Sequence, residues 1–263
     1  MSRFIALLKR QWILGQRDLV IYASVIIVVL LGNETLQSII ARYAGTPFAP
    51  EIYATLFAPF IFVGGIIITV DLFSSDLFKR DNQHTFLMLP ATGAEKFLSK
   101  SLLATVGYPV ALTLFFILSS LIIEPAMYLI FGNPVAIFNP LTQAGYWTLL
   151  ARYWVIDSLF VLGATFFRKT ALVKTALAFT IIVLLTTAIA LLFLRIFVAV
   201  RMGGRVPLFE ALAGVDQRRF DAMLGAIEGW KTAGRLLNYL IIPVALQITA
   251  YFRLCEVEAT DAV

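Results

Sequence analysis

One cysteine, one histidine and a shortage of charge limit this chain before any motif is read. The lone Cys255 excludes an internal disulfide and any multi-cysteine metal site, and the lone His84 excludes a histidine-rich metal cluster. No Gly-Lys-Ser or Gly-Lys-Thr occurs, so there is no Walker A loop and the chain is not expected to hydrolyse ATP by itself. A Gly-x-Ser-x-Gly elbow and a His-Glu-x-x-His helix are also missing. A Ser–His pair built on His84 would lie in a charged loop rather than a sheltered pocket. Nothing here points to an enzyme, a cofactor or a bound metal.

What is present is apolar. Of 263 residues, 60% are hydrophobic and only 14% charged, against roughly 45–50% and about 25% in average chains. The apolar residues gather into runs that meet the roughly 20 residues a helix needs to cross a bilayer. The reading is an all-α, multi-pass membrane protein of one transmembrane domain. Its six spans are expected near 19–36, 52–73, 102–123, 146–167, 176–200 and 236–254. Asn33 and Glu34 would sit near the far interface. Pro59, Pro109 and Pro243 fall inside spans, Pro109 as an interruption, and Gly64-Gly65 offers a place for close helix approach. Before span 1, Phe4, Leu8 and Trp12 share a helical face, as an interfacial helix would arrange them. Residues 201–234 form the longest polar insertion and read as two amphipathic helices. The acidic tail from Glu256 is expected to fray.

The net charge of +5 has a membrane explanation and calls for no nucleic acid. With the N-terminus inside, the basic residues from Arg3 to Arg17, in the loop around Lys79 and Arg80, at Lys96 and Lys100, and in the hairpin 168–174 all fall on the cytoplasmic side. Arg42 alone marks the first outer loop. Six spans then return the C-terminus to the cytoplasm, and the inner membrane is the expected location. The 201–234 insertion opposes this count, because its five basic residues must lie outside.

The most specific stretch is Leu89-Pro90-Ala91-Thr92-Gly93-Ala94-Glu95-Lys96-Phe97-Leu98-Ser99-Lys100. Thr92 and Glu95 have capping-box spacing ahead of an apolar run, and Pro90 prevents the preceding helix from simply continuing. The expected shape is a turn and a short amphipathic helix at the membrane surface. Lys96 and Lys100, four residues apart, would then look toward water or head groups. Met-Leu-Pro-Ala-Thr-x-x-Glu-Lys-Phe-Leu-Ser-Lys resembles the first cytoplasmic loop of six-span permeases of type-2 ATP-binding-cassette exporters. The match is sharp over about twelve residues. It extends weakly along the chain through span number, length and the closing Tyr251-Phe252-Arg253-Leu254. The resemblance implies a coupling helix that docks on a separate ATPase subunit through Thr92, Glu95, Lys96, Phe97 and Lys100, with His84 beside it. It also implies a second permease subunit, identical or related, and a transported molecule passing at the interface between the two. The plainer reading is that Glu95 only caps its helix, the lysines mark a cytoplasmic loop and His84 is a solvated surface residue.

Ionisable groups inside spans are costly and are candidates for function. Asp71 lies near the cytoplasmic end of span 2, within reach of water. Arg152, near the outer end of span 4, can extend to the interface. Asp157 lies deeper and needs a partner on another helix or a polar cavity. Arg195, in the last third of span 5, is one possible partner. The alternative to a permease is a non-transporting membrane protein (an immunity, sensor or scaffold protein) with lipid around it and no ATPase beside it.

Overall fold

The computed structural model describes residues 2–44, 52–78, 91–132, 134–135, 137–201, 234 and 237–261. Among these the chain is helical, with no strand. Helix α1 (Ser2–Ala44) is followed by α2 (Ile52–Pro59), a π-helical turn (Phe60–Gly64) and α3 (Gly65–Phe78). Next among the described residues come α4 (Gly93–Leu102), a second π turn (Leu103–Gly107) and α5 (Tyr108–Phe131). A short 3-10 turn (Pro140–Thr142) leads into α6 (Ala144–Phe166), then α7 (Ala171–Arg201). A third π turn (Leu237–Ile241) opens α8 (Ile242–Asp261). Among the described residues six helical stretches are long and apolar enough to cross a membrane: Asp18–Tyr43, Tyr53–Ser75, Gly93–Phe131, Gly145–Phe166, Ala171–Phe193 and Leu237–Val257. The protein is a multi-pass membrane protein on that ground.

Several sequence expectations change in detail. The N-terminal helix is not a separate interfacial element. One helix runs from Ser2 to Ala44, and its first turns bury Leu7 and Gln11 while Trp12 is exposed. Span 3 is not interrupted at Pro109, and it begins earlier, at Gly93. The acidic tail does not fray at Glu256, because α8 continues to Asp261 with Arg253 and Glu256 paired at 2.6 Å. Residues 79–90, with His84, and the insertion from 202 to 233 lie outside the described residues.

Each π turn adjoins a proline: Pro59 precedes the first, Pro109 follows the second and Pro243 follows the third. Proline cannot donate to the ladder and its ring crowds the preceding turn, so a local change of winding beside it is expected. The Tyr108 amide bonds to the Leu103 carbonyl, five residues back. The next bond in that pattern would need an amide at position 109, which proline lacks. The Ala104 carbonyl instead accepts the Tyr153 hydroxyl at 2.9 Å. In span 2, the Phe60 carbonyl accepts the Tyr108 hydroxyl at 2.6 Å. Gly64 and Gly65 make room for these rings: a Cβ on Gly65 would lie 2.4 Å from Tyr153 Cε2, and one on Gly64 2.2 Å from the Tyr108 hydroxyl.

Two apolar clusters hold the bundle. One joins Ile26 and Leu30 of α1 to Tyr53, Phe57, Phe116, Phe138 and Tyr146. The other joins Phe73 and Leu77 of α3 to Phe97 of α4, Phe160 and Val161 of α6, and Leu254 of α8. Helix α6 is central, packing on α3, α8 and the start of α7. From Leu177 to Phe193, α7 exposes nearly every side chain, as a helix surrounded by lipid does.

Gly65→Ala is expected to push the Tyr153 ring off its carbonyl and cost about 1–3 kcal/mol. Gly32→Ala, where an added Cβ meets nothing within 4 Å, should leave stability unchanged or slightly raised. Unfolding by SDS in mixed micelles, followed by tryptophan fluorescence, measures both.

Candidate functional site

Between the two apolar clusters lies a polar layer centred on Asp157. This residue is 13 positions from the start of α6 and 9 from its end, so it sits about 20 Å and about 14 Å from the two ends. That is mid-membrane depth for a hydrocarbon core of about 30 Å. Its side chain is completely buried. The carboxyl accepts a hydrogen bond from Thr69 of α3 at 2.5 Å and one from Thr105, inside the second π turn, at 2.8 Å. The Tyr153 hydroxyl, one turn earlier on α6, is 3.5 Å away. With a single proton to give, that hydroxyl serves the closer Ala104 carbonyl. Alongside runs a second chain of bonds. Ser101 donates to Gln247 of α8 at 3.2 Å, and Gln247 donates to Ser158 at 3.3 Å. Spans 2, 3, 4 and 6 therefore meet in one hydrogen-bonded layer.

Arg195 is not the partner of Asp157. Among the described residues no ion pair joins them, Arg195 is exposed on α7, and hydroxyls supply the donors. Thr69, Thr105 and Tyr153 were not singled out from the sequence, since hydroxyl residues are common in spans and only depth-matching of three helices would have selected them. Arg152 is exposed on α6. Asp71 is exposed and lines a cavity of about 300 Å³ with Gln11, Trp12, Asp18, Tyr22 and Tyr108, between α1, α3 and the start of span 3. Glu34 is not simply at an interface. It is 1% exposed and accepts the Tyr53 hydroxyl at 3.2 Å.

Helix α4 has the expected start. Glu95 N donates to Thr92 Oγ1 at 3.3 Å, and Thr92 N donates to Glu95 Oε2 at 3.0 Å, completing a capping box. Its inward face is different from the one expected. Lys96 is 5% exposed and Lys100 0%, and neither looks toward water. The reason is the outward face: Leu98, Leu102, Val106, Val110, Leu114 and Leu118 form one exposed apolar stripe through α4 into α5. The lysine stems are buried on the other side, and Lys100 Nζ lies 5.6 Å from the Phe73 ring centre. Phe97 stacks between Phe73 and Tyr251, each ring centre 5.7 Å away. Of the six residues anticipated as partner contacts, Lys96, Phe97 and Lys100 face inward, Thr92 is exposed, Glu95 is half-buried, and His84 lies outside the described residues.

Comparisons of the chain with family models, with curated proteins and with solved structures find no match.

Asp157→Ala removes the acceptor for two buried hydroxyls and is expected to cost about 1–2 kcal/mol. Asp157→Asn, which retains one carbonyl oxygen, should cost less. Tyr153→Phe combined with Asp157→Ala should cost less than the sum, because both act on adjacent residues of one turn. The same SDS titration reads the wild type and the four variants, Tyr153→Phe alone included.

Proposed function

We propose that this chain is the membrane subunit of an ATP-driven exporter and works with a separate ATPase subunit. The observation that supports this reading is the position of α4. It begins at a capped end beside a polar loop, packs against α1, α3 and α8, and continues into span 3 without a break. A push on its capped end thus reaches four of the six spans. A protein with no nucleotide loop of its own needs such a lever if ATP is to move it. Because Lys96, Phe97 and Lys100 are packed inside, the ATPase would meet Thr92, Glu95 and the preceding loop with His84.

On this reading both ends face the cytoplasm, and the inner membrane holds two such subunits, identical or related, with the substrate path where they meet. The count of basic residues carries the orientation, and the twelve-residue resemblance carries the partnership.

Affinity capture of the chain from gently solubilised native membranes tests the reading. Copurification of an ATP-hydrolysing subunit is expected with the wild type. Glu95→Arg reverses the charge and breaks the capping box, and should lower recovery about tenfold, equivalent to about 1.4 kcal/mol. Glu95→Gln retains the reciprocal bond and should lower it less, and Leu118→Ala on the lipid face should not change it. If no ATPase subunit copurifies while other membrane complexes stay intact, the exporter reading fails and the non-transporting alternative replaces it.

A further inference from the structure

The π turn at 103–107 does more than accommodate Pro109, because it sets which way α4 faces. An α-helix turns about 100° per residue. Counted that way, the buried face of α4 (centred on Lys96, Phe97, Lys100 and Ser101) and that of α5 (centred on Leu112, Phe116 and Ser120) would lie about 130° apart on an unbroken α-helix. A π turn accommodates one extra residue and removes about 100° of that difference. The inward faces then point to the same side, and Leu98 and Leu102 join the exposed stripe of span 3. Two adjacent residues of this turn are held from α6: Ala104 through its carbonyl by Tyr153, at 2.9 Å, and Thr105 through its hydroxyl by Asp157, at 2.8 Å.

We propose that Asp157 and Tyr153 are positioning residues that lock the register of span 3. Their hold on Ala104 and Thr105 keeps the wide turn in place, and without it span 3 winds into a continuous α-helix, turning α4 by one residue, about 100°. In that register Ser99 takes the place of Leu98, and Leu103 that of Leu102. The surface that α4 offers at the membrane is therefore decided mid-membrane, on a different helix. This goes beyond the exporter reading and does not depend on an ATPase.

The test uses the full chain alone in lipid nanodiscs. Cys255→Ser clears the one native thiol, and single cysteines at Leu98, Leu102 or Val110 carry a nitroxide whose collisions with dissolved oxygen report lipid exposure. All three should be strongly exposed in the parent. In Tyr153→Phe/Asp157→Ala, oxygen collision at 98 and 102 should fall at least about threefold while 110 is unchanged, as expected for a turn of about 100° confined to α4. Deleting Val106 in that variant removes the extra residue without turning α4, and should restore exposure at 98 and 102. Merely loosened packing would not respond to the deletion in this way. Unchanged exposure at 98 and 102, or a loss that the deletion does not reverse, overturns the proposal. If the double variant does not reach the bilayer, Tyr153→Phe/Asp157→Leu, which likewise leaves Thr105 no acceptor, is read by the same labels with the same two outcomes.

Discussion

A backbone carbonyl in hydrocarbon has no water to fall back on, and this constraint shapes the centre of the protein. Proline at 109 withholds the amide that Ala104 would use in the widened ladder, and the Tyr153 hydroxyl fills the gap. Tyr108 serves Phe60 in the neighbouring span. Both tyrosine rings lie against glycines, where any Cβ would collide with them. Prolines, wide turns, glycines and tyrosines in spans 2, 3 and 4 thus form one interdependent set. Exchanging one member leaves either an unsatisfied carbonyl or a steric clash.

Asp157 belongs to the same layer. An acidic group at mid-membrane is expensive when isolated, and the usual expectation is a basic partner. Here the carboxyl is surrounded by hydroxyls from two other helices. Hydroxyl donors are small and already present on apolar helices, so they satisfy the acid without bringing a second charge into the bundle. They also connect distinct spans, and the adjacent Ser101–Gln247–Ser158 chain extends the connection to span 6. The layer lies between two aromatic-rich clusters.

Helix α4 shows how a lipid boundary overrides a local amphipathic pattern. Read alone, residues 93–102 should turn their lysines outward. Joined to span 3, the helix instead places Leu98 and Leu102 outside and folds the lysine stems against Phe73 and its neighbours. The exporter resemblance rests on the residues of this same stretch. In the structure Thr92, at its capped end, is exposed, and its inward face packs against α1, α3 and α8.

The sequence by itself determined the helical class, six apolar stretches, the capping box at Thr92 and Glu95, and Asp157 as the deep acidic group. Each of these follows from composition, run length or spacing within a few residues, where local physics decides. Span ends were legible only approximately: hydropathy does not register that α1 runs back to Ser2 or that α4 continues into span 3. Tertiary structure alone decided the partners of Asp157, the inward turn of Lys96 and Lys100, and the winding of 103–107. Those depend on which side of each helix meets protein and which meets lipid, a choice made by residues dozens of positions apart. Tyr153 and Ala104 are separated by 49 residues and Thr69 and Asp157 by 88, and no local periodicity couples them.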